Sequence, residues 1–143
     1  MSLSLSQSVG LTGAVIVTTP QKVALSDVVR GVSMFKQLEV PILGVIENMS
    51  YFEAPDTGKR YDIFGSGGGS SMAKEAGIDF LGEVPLEPEV RISGDEGQPI
   101  VVRDPSSRAA QSIRVITRKI ASSVAARNMD QESESGPTLS VLN

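Results

Sequence analysis

Between residues 50 and 71 the chain reads SYFEAPDTGKRYDIFGSGGGSS, a polar, glycine-rich stretch set between apolar runs. The 143 residues contain neither Cys nor His, so chemistry here falls to carboxylates, hydroxyls, amines and backbone amides. Thiolate and imidazole chemistry, disulfides and Cys/His zinc sites are excluded for these residues. The run GSGGGSS at 65–71 lets backbone N–H groups approach an anion if a helix starts directly after it. It does not meet the phosphate-loop pattern G-x-x-x-x-G-K-[ST], because the next lysine is Lys74. A flexible turn and helix entry is the simpler reading of the glycines, with anion contact as the alternative.

Three further groups stand where a ligand would be read. Asn48 follows a continuous apolar run, and its amide offers a donor and an acceptor to a purine edge; it serves equally well to cap a strand end or turn. VPLEPEV at 84–90 turns sharply at two prolines, which either lays backbone against a flat ligand or simply makes a turn. Glu47 and Glu83 both fall near strand ends, yet no nucleophile or metal-ligand set accompanies them, and solvated carboxylates account for them as well.

The elements that must position these groups follow from periodicity. GAVIVTT at 13–19 is a short β-branched run ending at Pro20, the pattern of a strand buried on both faces. Over 21–38 the apolar residues Leu25, Val28, Val29, Val32, Phe35 and Leu38 recur at helical spacing. VPILGVIENM at 40–49 repeats the buried-strand pattern. Residues 70–76 form a short helix stopped by Gly77, and DFLGEVP is a third strand. A short helix over 88–93 and an extended GQPIVV follow. The closing amphipathic helix is capped by Asp104 and Pro105 and sets Ala109, Ile113, Ile116, Ile120 and Val124 on one face, leaving its arginines mainly solvated. Strands alternating with helices give an α/β fold with a mainly parallel sheet covered on both sides. In such sheets ligands bind at the carboxyl ends of the strands, which selects TTPQ, ENMSYF and VPLEPEV.

Size and charge narrow the class. At 143 residues and 40% hydrophobic composition, one core is expected. We expect one domain over 1–128 and a disordered tail over 129–143, where DQESESGPTLSVLN has little to pack. Seventeen acidic against thirteen basic side chains give a net charge of −4, which argues against nucleic acid or an anionic membrane as partner. The start MSLSLSQSVG lacks a signal-peptide pattern and no run approaches the roughly 20 apolar residues of a membrane span, so a cytoplasmic protein is expected.

Taken in order, SLSQSVGLTGAVIVTTPQKVALSDVVRGVSMF, VPILGVIENMSYF, FGSGGGSSMAKEAGIDFLGEVPLEPEVRISGDEGQPIVV and DPSSRAAQSI resemble the C-terminal half of the Mrp-type, or NBP-type, iron–sulfur carrier ATPases. These belong to the MinD/ParA branch of deviant P-loop NTPases. The likeness runs from about Ser4 to Val124. It implies a partial P-loop NTPase fold and a cytosolic protein that binds ATP with Mg2+, dimerises, carries a labile [4Fe–4S] cluster between subunits and delivers it to apoproteins. It also implies that Asn48 contacts adenine and that Pro85, Leu86 and Glu87 line the other side of the base.

Two departures bear on what transfers. In the family a Walker A loop with two lysines precedes the segment resembling LSLSQS, and this chain begins almost there, so the 143 residues alone are expected not to hydrolyse ATP. Relatives also carry Cys-Pro-x-Cys where this chain has Ala54-Pro55-Asp56-Thr57. A methyl and a hydroxyl do not replace two thiolates, so no iron–sulfur cluster is expected on this chain. Some chloroplast members of the family also lack the pair, so a role in cluster assembly remains implied. Two other readings stay open: a non-catalytic interaction module using the FEAPDTGKRY loop as its contact surface, and a MinD/ParA-type positioning ATPase. Self-association is expected from an unpaired parallel sheet edge.

Overall fold

The computed structural model describes residues 9–134. The two valine- and isoleucine-rich runs form strands β1 (Ala14–Thr18) and β2 (Ile42–Asn48), joined by helix α1 (Lys22–Gln37). After β2 the chain makes a small antiparallel hairpin, β3 (Phe52–Glu53) with β4 (Arg60–Tyr61), and returns through helix α2 (Gly68–Ala76) to β5 (Phe80–Val84). Helices α3 (Pro88–Asp95), α4 (Ile100–Arg103) and α5 (Arg108–Glu134) complete the described residues. The three long strands form one parallel sheet in the order β1-β2-β5.

Helices cover both faces, as a parallel sheet requires. On one face Val28 and Val32 of α1 and Met72 and Ala73 of α2 pack against Ile16 and Val45. On the other, Ala109 and Ile116 of α5 pack against Leu81 and Val84, with Ile113, Ile120 and Val90 alongside. Each fully buried aliphatic side chain of this kind is worth about 1.5–3 kcal/mol, so the two layers hold the sheet and the strand ends rigidly in place. Val45 and Ala109 are wholly enclosed, which puts β2 at the centre of the molecule.

Three local expectations are corrected. GQPIVV is not extended: Pro99 opens the single turn α4, its carbonyl accepting from the amides of Val102 and Arg103 at 2.8 and 3.0 Å. Pro99 already holds a φ of −53°, and burying Ile100 anchors the turn. The cap of α5 lies three residues later than Asp104. Ser107 Oγ accepts from Ala110 N at 3.1 Å, while Asp104 Oδ1 takes Ser106 N and Oγ at 3.1 and 2.6 Å in the preceding turn. Finally, α5 runs on past Met129 to Glu134, because extending an existing helix with Met, Gln and Glu needs no new nucleus. Of the expected disordered tail, residues 135–143 lie outside the described residues.

Candidate functional site

The carboxyl ends of β1, β2 and β5 carry the residues singled out above. After β2 the backbone turns sharply: Met49 sits at φ 54°, a left-handed conformation unusual for a residue with a side chain. The turn lets Ser50 N donate to Val84 O at 3.1 Å, and Leu86 N to Tyr51 O at 2.7 Å, so the chain crosses over the end of β5. Asn48 and the segment 85–87 are thereby held on neighbouring strand ends.

The two do not share a cavity. Asn48 lines a groove of about 500 Å³ with Val15, Ile16, Val17, Thr18 and Thr19 of β1 and its end, and with the inner side of α1. Its Oδ1 accepts from Met49 N at 2.9 Å, leaving the amide nitrogen without a partner among the described residues. Thr19 Oγ1, in the same groove, is buried and likewise unpartnered among the described residues. Pro85, Leu86 and Glu87 instead line a cavity of about 630 Å³ with Phe52, Ala54 and Pro55 of the hairpin, with Ser107 before α5 and with Arg108 at its start. Glu87 Oε1 accepts from Ala109 N at 3.2 Å, so this carboxylate caps the first turn of α5. Pro85 is buried, and Leu86 and Glu87 are half-buried.

The glycine run resolves into a helix entry, the simpler of its two readings. Gly67 is left-handed at φ 69°, α2 starts at Gly68, and Gly77 ends it at φ 67° as expected. The anion at this helix start is the chain's own. Glu47, with no exposed surface, accepts from Gly69 N through Oε2 at 2.6 Å and from Ser50 Oγ through Oε1 at 2.7 Å. A Cβ at residue 69 would lie 2.8 Å from Glu47 Oε2, which explains why a glycine stands there. Glu83, paired in register with Glu47, turns to Arg60 Nη2 at 3.6 Å. The two carboxylates therefore belong to separate structural networks.

A two-stranded hairpin of this size is marginal alone, and side chains tie it to the body. The Arg60 guanidinium lies 4.0 Å from the Tyr51 ring centroid and 3.0 Å from Asp62 Oδ1, and Arg108 Nη1 lies 2.6 Å from Glu53 Oε2. Arg60 is held protonated beyond its ordinary range, first by the hydrogen bond to Asp62, with the Glu83 and Asp62 charges adding to it against some burial. The Asp104 carboxyl is shifted below the usual carboxylate range, first by Ser106 Oγ and then by the Ser106 amide. At the hairpin tip Ala54 N donates to Lys59 O at 3.0 Å and Gly58 N to Ala54 O at 2.8 Å, with Thr57 exposed. Among the described residues no group of three or more acidic side chains is placed to hold a metal ion, and no helix is long and apolar enough to cross a membrane.

A ParA family model, described as NUBPL iron-transfer P-loop NTPase, matches residues 1–121. An iron–sulfur cluster carrier protein of Deinococcus radiodurans is 49% identical over 139 residues, covering 97% of this chain and 39% of that protein. The iron–sulfur cluster transfer protein NUBPL of Dictyostelium discoideum is 48% identical over 132 residues, covering 92% and 41%. The chain thus spans about two-fifths of the length of these relatives. Among solved structures, a nucleotide-binding protein of Archaeoglobus fulgidus in complex with ADP superposes with a TM-score of 0.62 at 34% identity, over 73% of this chain and 42% of that one. The cell division ATPase MinD of Pyrococcus furiosus, at 21% identity and a TM-score of 0.56 over 80% of this chain and 43% of that one, shows the shared fold alone.

Proposed function

Since this chain belongs to the ParA family of NUBPL-type iron-transfer P-loop NTPases, we propose that it supplies the base-side wall of the nucleotide site in an iron–sulfur cluster carrier. Asn48 is the specific contact in this reading. Its Oδ1 is turned to Met49 N, so the free amide nitrogen donates to a ring nitrogen of adenine, and the second lone pair of the oxygen remains for the exocyclic amine. Pro85 and Leu86 line the separate cavity beside the hairpin and take no part in this base contact. Glu87 holds that segment against α5 through Ala109 N and acts by placement.

The observation that carries the reading is the pair of unmatched polar groups, the Asn48 amide nitrogen and Thr19 Oγ1, in one groove at the carboxyl end of the parallel sheet. Thr19 Oγ1 is buried, and a buried hydroxyl ordinarily has a partner; the Asn48 amide nitrogen is open to the same groove with its donor free, and a ligand there supplies a partner to both. We assign the grip on the triphosphate and its Mg2+ to polypeptide other than these 143 residues, which contain no G-x-x-x-x-G-K-[ST] sequence. The iron–sulfur cluster is cargo in this scheme and takes no thiolate from this chain. Apoproteins that accept the cluster are the partners in this reading.

The test is titration of ATP onto the 143-residue chain and its Asn48→Ala variant. Weak saturable binding that drops about tenfold on losing one hydrogen bond, with no ATP turnover, is the expected result. Equal affinity of the two proteins overturns the assignment of Asn48. A second reading, a non-catalytic interaction module, draws on Tyr61 and Ile63, 44% and 55% exposed beside the hairpin.

A further inference from the structure

Glu47 has no part in the proposed base contact, yet it is the most enclosed charged group among the described residues, with no exposed surface at all. Its two oxygens serve two different segments. Oε1 accepts from the hydroxyl of Ser50, itself fully buried, and this bond closes the four-residue turn in which Asn48 and the left-handed Met49 sit. Oε2 accepts from the amide of Gly69, 22 residues further on, in the first turn of α2. Backbone amides at that position have no partner within the helix and carry its positive end, so a buried carboxylate is held there strongly.

The fit between the two segments is close. A Cβ at residue 69 would stand 2.8 Å from Oε2 and 3.2 Å from the Glu47 Cβ, so no side chain separates the helix start from the strand end. Helix α2 is also where the chain arrives from the hairpin, and Asn48 is the residue directly after Glu47. A displacement at either end therefore reaches the other through one carboxylate.

We propose that Glu47 is a positioning residue that locks the Asn48 turn to the start of α2, so that the asparagine and the segment returning from the hairpin move as one unit. Its consequence for nucleotide rests on the proposed role of Asn48; the mechanical link between Ser50 and Gly69 does not. A carboxylate that only capped α2 would leave the Asn48 turn unchanged when removed, and this separates the two roles.

The experiment uses the 15N-labelled 143-residue chain as wild type, Glu47→Ala, Glu47→Gln and Ser50→Ala, read by amide shifts, hydrogen exchange and ATP titration. Glu47→Ala is expected to move the Asn48 side-chain amide and Met49 amide signals, to speed Gly69 exchange about tenfold, and to weaken ATP about tenfold. Glu47→Gln keeps an acceptor for Gly69 N–H and a donor for Ser50 Oγ, and is expected to restore most of each. Ser50→Ala, which cuts only the turn-side bond, is expected to speed Gly69 exchange as well, and it decides the matter if Glu47→Ala does not fold. Change at Gly69 alone in Glu47→Ala, or a silent Gly69 in Ser50→Ala, overturns the proposal. A wild-type chain that binds no ATP removes the Asn48 reading while the exchange and shift results still decide the link.

Discussion

Glycine 69 and glycine 31 show how differently one residue type is used in this chain. At Gly69 an added methyl meets the Glu47 carboxylate at 2.8 Å, and neither partner can withdraw because both are buried. Gly31, inside α1, has nothing within 4 Å of the same position. We expect Gly69→Ala to lower unfolding stability by about 1–3 kcal/mol despite the better helix propensity of alanine. Gly31→Ala should raise it by about 0.5–1 kcal/mol, since there only backbone freedom is lost. Urea denaturation of both variants checks the contrast, and a Gly69→Ala protein as stable as the wild type would contradict the close fit described here.

Among the elements, α5 carries the heaviest structural duty. Its first turn is capped by Ser107 and Glu87, its middle seats Ile116 against β5, and Lys119 Nζ reaches Leu81 O at 2.8 Å along that strand. A cation on an edge-strand carbonyl also discourages pairing with a further strand. Ile116 is 4% exposed whereas its neighbour Val115 is 51% exposed. Ile116→Ala is expected to cost about 2–5 kcal/mol by leaving a cavity between α5 and the sheet. Val115→Ala should stay within about 0.5 kcal/mol of the wild type, as surface changes do. Thermal or urea unfolding reads both, and similar losses would mean that α5 does not lie with its 109–113–116–120 face on the sheet.

At the scale of the whole molecule β1 and β5 are the two edges of the sheet among the described residues, and Lys119 covers a carbonyl of β5. Among the described residues β1 pairs only with β2, and Val17 on it is 60% exposed. An open parallel edge with an apolar side chain recruits another strand. We expect the 143-residue chain to associate with itself in a concentration-dependent way, and Val17→Lys to shift it towards monomer, by sedimentation velocity. A wild-type chain that stays monomeric across the concentration range would count against the edge as a site of association.

The alternation of β-branched runs with helical stripes was enough to place β1, α1, β2, α2 and β5, because burial on both faces of a parallel sheet demands continuous apolar strands and each crossover demands a helix. The motifs ENMSYF and FGSGGG were enough to point to the family. Local pattern failed where the deciding contact was distant. Nothing near Glu47 in the chain announces that Gly69 will donate to it, nothing near Glu87 announces Ala109, and nothing near Ile100 announces that it will be buried in a helical turn. Likewise, only the folded arrangement parts Asn48 from residues 85–87 into separate cavities. Periodicity is a property of neighbours along the chain and so determines which elements form; which carboxylate meets which helix start depends on packing between segments 22 residues apart, and that is settled only when the layers close.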